Sequence, residues 1–261
     1  MSSPGDPTQQ FRLDERTVIV TGASSGLGAR FARVVAAAGA TVVIGARRRE
    51  RLEALVDDLR SEGAEAVAVE CDVTVDSDVD GLIAAGIDAT GRLDALVNAA
   101  GIASDEDEEI ESPDLFRRVL EVNAVGLYTC ARAAAGVMLD RGAGSIVNVA
   151  SISGLVAGDG PDTPSYAASK GTVVNLTREL AVRWAPRGVR VNAVAPGWFP
   201  SEMTAETLSS EAGQRFVNER TPLGRPGRSD ELDGALLFLA SDASSYVTGH
   251  TLVIDGGWTA R

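Results

Sequence analysis

Seven short runs of β-branched and aliphatic residues recur along the chain: TVIVT from Thr17, TVVIG from Thr41, AVAVE from Ala66, LDALVN from Leu93, SIVNVAS from Ser145, VRVNAVAP from Val189 and TLVID from Thr251. Between them lie longer segments rich in alanine and leucine with helical spacing. Strand runs interleaved with helices of this length predict βαβ units and a parallel sheet with helices on both faces. Right-handed crossovers then make a doubly wound α/β fold of about seven strands the expectation. No internal repeat, low-complexity segment or linker divides the pattern, so residues 13–261 are expected to form one domain. The polar, proline-containing start, MSSPGDPTQQ, reads as a flexible tail over residues 1–12.

Composition narrows this picture. A chain of 261 residues with 44% hydrophobic and 23% charged residues can bury one sizeable core. Its net charge of −13 opposes a nucleic-acid partner, because phosphate binding needs a basic surface. The weakly polar run Val34–Ala46 is too short to span a bilayer, and the opening segment lacks an apolar leader, so a cytoplasmic protein without a membrane partner is expected. Cys71, Cys130 and the single His250 have no metal-ligand spacing, so neither a metal nor a disulfide framework is expected. The acidic run from Ser104 to Glu109 reads as a solvated loop, since it lacks the glycine turn and spaced glutamate of a calcium loop.

In a doubly wound sheet, ligands bind at the carboxyl ends of the strands. After the first run comes TGASSGLG, in which Gly22, Gly26 and Gly28 permit a tight turn and close approach of the backbone to a pyrophosphate. The helix that follows would offer free N–H groups and a partial positive charge to the phosphates. Ser24, Ser25 and Leu27 lie in the same loop and join the candidate dinucleotide contacts.

The second run ends at Ala46, Arg47 and Arg48, where a carboxylate would suit the adenosine ribose of NAD. A missing carboxylate and added guanidinium groups favour a 2′-phosphate, hence NADP(H) over NAD(H), with NAD(H) still open. The alternative is that these arginines simply begin an exposed helix. Asp72, followed by Val73 after the third run, is placed to accept from the adenine amino group or to cap a helix.

Lys170 is the one lysine beside 23 arginines, and it follows Tyr166 by four residues in a helical pattern opened by Pro164. Residues at i and i+4 share a helix face. A positive charge ~4 Å from a phenol is worth roughly 4 kcal/mol at an effective dielectric of 20, about three pKa units, enough to bring a tyrosine near neutrality. Arginine would supply the same charge, but a compact ammonium has three rotatable donors for ribose hydroxyls and can take part in a proton relay.

TGASSGLG, NAAG (Asn98 to Gly101), SYAASK, NAVAPG and VTGHTLVIDGG, in that order from about Thr17 to Trp258, resemble the short-chain dehydrogenase/reductase family in its single-domain branch. The chain is similar to 3-oxoacyl-[acyl-carrier-protein] reductase-like members. The resemblance implies a Rossmann-type fold and a ketoreductase-type oxidoreductase interconverting a ketone and a secondary alcohol. Tyr166 would be the general acid/base, Ser151 would hold the substrate oxygen, and Asn123 would anchor a water linking Lys170 to solvent. Asn98, Ala99 and Gly101 would lie beside the cofactor, as would Pro196, Gly197, Phe199 and Ser201, with Tyr166 and Lys170 also touching it. Residues 197–220 would form a substrate lid, with Trp198 and Phe199 adding apolar surface near the pocket or packing in the core. A homotetramer, or a homodimer, is implied, with helices around 112–139 and 164–185 at one interface and the C-terminal segment at another.

The Ser151 to Tyr166 spacing, through GLVAGDGPDT, is longer than the family commonly shows. That loop borders the expected substrate pocket. Arg141 and Arg187 are candidates for docking an acidic acyl carrier. A competing reading is a catalytically silent dinucleotide sensor on the same fold, although such a protein would be expected to lose the tyrosine or the lysine. A serine hydrolase fits less well, because no GxSxG elbow is present.

Overall fold

The computed structural model describes residues 6–103, 110–157 and 164–261. The acidic run 104–109 and residues 158–163 of the longer loop lie outside the described residues, as do residues 1–5. Seven strands form one sheet: β1 (Thr17–Thr21), β2 (Thr41–Ala46), β3 (Ala66–Glu70), β4 (Ala95–Asn98), β5 (Gly144–Val149), β6 (Val189–Pro196) and β7 (Thr251–Ile254). They pair in the order β3-β2-β1-β4-β5-β6-β7, parallel throughout. The order reverses between β1 and β4, which opens a crevice at their carboxyl ends.

The helices are α1 (Gly26–Ala37), α2 (Arg49–Ser61), α3 (Asp76–Thr90), α4 (Pro113–Leu120), α5 (Leu127–Arg141), α6 (Pro164–Trp184), α7 (Ala205–Ser209), α8 (Glu211–Arg220) and α9 (Asp233–Ala240). Side chains alternate across each strand, so neighbouring residues serve opposite layers. Val18, Val20, Val42 and Ile44 pack with Phe31 and Val35 of α1, Leu52 of α2 and Leu236 of α9. Ile19, Val43, Leu96 and Ile146 pack with Leu82 and Ile83 of α3, Ala131 and Met138 of α5 and Leu180 of α6. Both faces of the sheet are therefore covered, and strands buried on two sides read as continuous apolar runs.

Residues 7–11 of the N-terminal segment form an exposed single turn of 3₁₀-helix, capped where Asp6 accepts from the Thr8 N–H at 2.9 Å. Between α4 and α5, residues 121–126 form a π-turn, so Pro113–Arg141 runs as one helical stretch. By length and composition this stretch, not Val34–Ala46, is the one capable of crossing a bilayer among the described residues. Half of its apolar window is buried, and α5 contributes Cys130, Ala131, Ala134 and Met138 to the core. It serves as a core helix.

At the amino ends of the strands, opposite the crevice, Asp94 is 4% exposed and gathers donors from three residues. It accepts from the Thr17 N–H at 3.0 Å, from Arg92 at 2.8 and 2.6 Å and from Arg141 at 2.7 Å. Burial alone would raise its pKa, but the bonds from Arg92, Thr17 and Arg141 outweigh burial and hold it below the usual carboxylate range. Arg141 is thus engaged at the wrong end of the sheet to dock a carrier at the crevice. Arg187, in the turn after α6, lies 3.5 Å from Asp140 of α5.

Candidate active site

A cleft of about 420 Å³ runs along the carboxyl ends of β1 to β6, within the ordinary range for small-ligand sites. It is bounded at one end by Arg47, Arg48 and Asp72, and at the other by Ser151, Tyr166 and Lys170. The turn Gly22–Gly28 forms its floor. Gly22 and Gly26 have φ of 69° and 53°, a left-handed region that suits glycine. A Cβ on Gly22 would lie 2.6 Å from the Ala100 backbone, and one on Gly28 would lie 2.3 Å from the Gly22 carbonyl oxygen. The turn is therefore closed against the neighbouring loop while its outer surface stays bare. Helix α1 begins there with no side-chain cap on its first N–H groups. A bare glycine floor with uncapped helix donors fits the pyrophosphate of a dinucleotide.

The second glycine turn is tied to the first through Thr21, whose hydroxyl oxygen accepts from the N–H groups of Ala99 and Ala100, each at 3.2 Å. Ala99 and Gly101 line the cleft, whereas Asn98 does not. Asn98 is 2% exposed, and its amide donates to the Asn148 side chain at 3.0 Å and to the Leu127 carbonyl at 3.4 Å. The last residue of β4 points into a helix-covered face of the sheet. The side chain of Asn98 is thereby held within the covered layer, away from the cleft.

At the adenosine end, Arg48 turns inward. Its Nε donates to Ser24 Oγ at 3.0 Å and one terminal nitrogen donates to Ser25 Oγ at 2.6 Å. Its other terminal nitrogen bonds Glu202 at 3.1 Å. Arg47 lines the cleft beside it. Asp72 does not cap α3, which starts at Asp76 after Val75. Its carboxylate closes a turn by accepting from the Thr74 N–H at 3.0 Å and the Thr74 hydroxyl at 2.7 Å. Those bonds, first the Thr74 backbone and later the charge of Arg47, lower its pKa. Leu27 and Val73 line the walls.

At the other end, Ser151 is 8% exposed and follows β5. Its oxygen accepts from the Ser153 N–H at 3.2 Å and opens a single 3₁₀ turn, Ile152–Gly154. Lys170, 6% exposed, donates from Nζ to the Val149 carbonyl at 2.8 Å and lies 5.5 Å from the centroid of the Tyr166 ring. Burial lowers its pKa to about 8. Asn123 sits behind the cleft wall, 1% exposed. Its amide donates to the Ile102 carbonyl at 2.8 Å and to Ser169 Oγ at 3.0 Å, and its carbonyl accepts from the Ile102 N–H at 2.8 Å. These bonds clamp the Gly101–Ile102 turn to the residue preceding Lys170. Asn123 is one of the buried residues of the π-turn, a feature that frequently falls at functional sites.

Pro196, Gly197, Phe199 and Ser201 form the roof, followed by Glu202, Met203 and Thr204. Ser201 is bound to Thr204, each backbone N–H donating to the other's hydroxyl at 3.0 and 3.2 Å. Phe199 is 5% exposed and belongs to the core beneath the roof. Trp198 points away from the cleft, meets Phe216 of α8 edge-on with centroids 6.0 Å apart, and packs at a tilt against Trp258 at 6.1 Å. Burial pushes the thiols of Cys71 and Cys130 up to about 12, so neither is a nucleophile at neutral pH. Sequence reasoning missed Glu202, whose role depends on a partner 154 residues away.

A family model described as enoyl-(acyl carrier protein) reductase matches residues 22–259. Galactitol 2-dehydrogenase (L-tagatose-forming) of Cereibacter sphaeroides is 42% identical over 249 residues, 95% of this chain and 97% of that protein. Cis-4-hydroxycyclohexanecarboxylate dehydrogenase of Sinomonas cyclohexanicum is 42% identical over 248 residues, 94% and 97% of the two chains. The crystal structure of a gluconate 5-dehydrogenase from Burkholderia cenocepacia in complex with NADP and tartrate superposes with a TM-score of 0.92 at 38% identity, covering 98% of this chain and all of that one.

Proposed function

The chain belongs to the short-chain dehydrogenase/reductase family of oxidoreductases acting on CH–OH groups, and from that premise we propose that it interconverts a ketone and a secondary alcohol with NADP(H), Tyr166 serving as general acid and base. The observation that carries this reading is that one cleft places Tyr166, Lys170 and Ser151 at one end and an inward-turned arginine at the other, with a bare glycine turn between them. When bound, the nicotinamide supplies or accepts the hydride.

The chain's own residues do the rest. Ser151 donates a hydrogen bond to the substrate oxygen and fixes its position. Tyr166 gives its phenolic proton to that oxygen in reduction and takes it back in oxidation, a step for which positioned side chains typically contribute ~10²–10⁴-fold. The Lys170 ammonium beside the ring favours the phenolate. One of its three hydrogens is committed to Val149, leaving two for the hydroxyls of a ribose. Asn123 holds Ile102 and Ser169 in register behind Lys170, with a remaining acceptor lone pair for a water between the lysine and solvent.

Arg48 supports NADP(H), because a guanidinium already bound to both serines of the phosphate turn stands where a 2′-phosphate would be read. The crystal structure with NADP at 38% identity adds support by likeness. Trp198, Phe216 and Trp258 anchor the roof to α8, consistent with residues 197–220 acting as a substrate lid. Assembly as a homotetramer is supported by the apolar side chains left exposed on α4 to α6: Phe116, Val125, Tyr128 and Val182.

The test is NADPH oxidation over polyol-derived ketoses, cyclic ketones, β-ketoacyl thioesters and steroids, with Tyr166→Phe run in parallel. Turnover of at least one ketone by wild type, lost in the variant while NADPH still binds, is the expected result. A variant as fast as wild type would remove Tyr166 from the chemistry.

A further inference from the structure

Glu202 is carried by the roof, between β6 and α7, yet its carboxylate is held by the opposite wall. One oxygen accepts from Arg48 at 3.1 Å and the other from Arg51, on the first turn of α2, at 2.5 Å. Arg51, then Ser25 and Arg48, lower its pKa to about 2, so it is an anion throughout the working pH range. The same Arg48 guanidinium reaches Ser24 and Ser25, so a carboxylate occupies the one remaining nitrogen of the group that faces the phosphate turn.

Resting on the NADP(H) reading above, we propose that Glu202 is an internal competitor for the 2′-phosphate at Arg48 and thereby a specificity-determining residue. A phosphate monoester, carrying about −1.5 to −2 charges at pH 7, takes Arg48 only by displacing a single negative charge. The displaced carboxylate belongs to the roof, so the link between roof and α2 is released when a 2′-phosphorylated dinucleotide binds. A dinucleotide without that phosphate leaves the link in place. Both ion pairs are solvent-exposed, with side-chain exposures of 44%, 52% and 55% for Arg48, Arg51 and Glu202. Exposed pairs are weak and screened by salt, so the carboxylate tempers the site without closing it.

Isothermal titration of wild type and Glu202→Gln with NADP⁺, NAD⁺, 2′,5′-ADP and 5′-AMP tests this without recourse to turnover. The substitution should tighten NADP⁺ and 2′,5′-ADP about three- to fivefold and move NAD⁺ and 5′-AMP less than twofold. The gain should vanish when Arg48→Ala is combined with it. Equal tightening of all four ligands would mean a general loosening of the roof, and unchanged or weaker NADP⁺ binding would mean that Glu202 merely organises the arginines. Either result overturns the proposal. Wild type that binds NADP⁺ with an unmoved ratio in Glu202→Gln removes the competitor alone, whereas wild type that binds neither dinucleotide removes the cofactor reading as well.

Discussion

The Lys170 ammonium is fixed 2.8 Å from the carbonyl oxygen of Val149, the last residue of β5. A helix residue is thereby pinned to a strand end, and the cation is held over the Tyr166 ring, 5.5 Å from its centroid, instead of sampling solvent. Gly154 makes room for this, since a Cβ there would lie 2.5 Å from the Lys170 backbone.

Lys170→Arg should keep the charge and lose the function. A planar guanidinium is larger than the ammonium and cannot rotate donors toward both Val149 and a ribose. Catalytic turnover should fall by about 10²-fold or more, with dinucleotide binding weakened to a smaller degree. Steady-state kinetics beside a binding isotherm checks this, and a near-normal turnover would show that charge alone suffices.

Lys170→Met should make the protein more stable at neutral pH. Burial lowers the lysine pKa from 10.5 to about 8, so below pH 8 the folded state bears the cost of an ammonium the unfolded chain holds freely. Between about pH 8 and 10.5 the unfolded chain binds more protons than the folded one, and wild-type stability rises with pH. The advantage of the methionine variant, on the order of 1–3 kcal/mol at pH 7 after loss of the Val149 bond, should therefore shrink across that window. Thermal melts at pH 7 and pH 10 measure it. A gap that widens with pH would contradict the sign.

Arg48→Ala should cost more NADP affinity than Arg47→Ala. Among the described residues it is Arg48 that bonds both serines of the glycine turn, and loss of a charged bond to phosphate is worth about tenfold or more in affinity. NAD⁺ binding should change little in either variant. Competitive titration of the two dinucleotides settles the order, and a larger loss for Arg47→Ala would move the phosphate to the outer arginine.

Much of this was legible in the chain because it is local. TVIVT followed by TGASSGLG announces a strand, a turn and a helix within a dozen residues, and a tyrosine four residues before a lysine announces a shared helix face. Choosing between Arg47 and Arg48 was not legible, since it depends on α2 beginning at Arg49 and leaving Arg48 in a non-helical conformation, φ −88° and ψ 81°. The partners of the Asn98 side chain were not legible either, because motif order says which loop a residue belongs to and nothing about which face of the sheet its side chain meets. Glu202 meets Arg51 over 151 residues of separation and Ser165 meets Glu111 over 54. Pairings of that range leave no trace in a single sequence.

The Glu111 contact leads to a last prediction. Its carboxylate accepts from the Ser165 N–H at 2.9 Å and from the Ser165 hydroxyl, at the first turn of the helix that carries Tyr166. The first N–H groups of a helix have no intrahelical partner, and a negative charge there also meets the positive end of the helix dipole. Glu111 is thus a positioning residue for the turn from which Tyr166 projects. Glu111→Ala should destabilise the protein by about 1–2 kcal/mol, a shift of roughly 2–8 °C in the thermal midpoint for a chain of this size. It should also lower kcat more than it raises the KM for NADPH, because the fraying reaches Tyr166 and leaves the glycine turn untouched. Glu111→Asp should restore part of both, since it keeps the charge with a shorter reach. A stability loss with kcat intact would reduce Glu111 to a helix cap and nothing more.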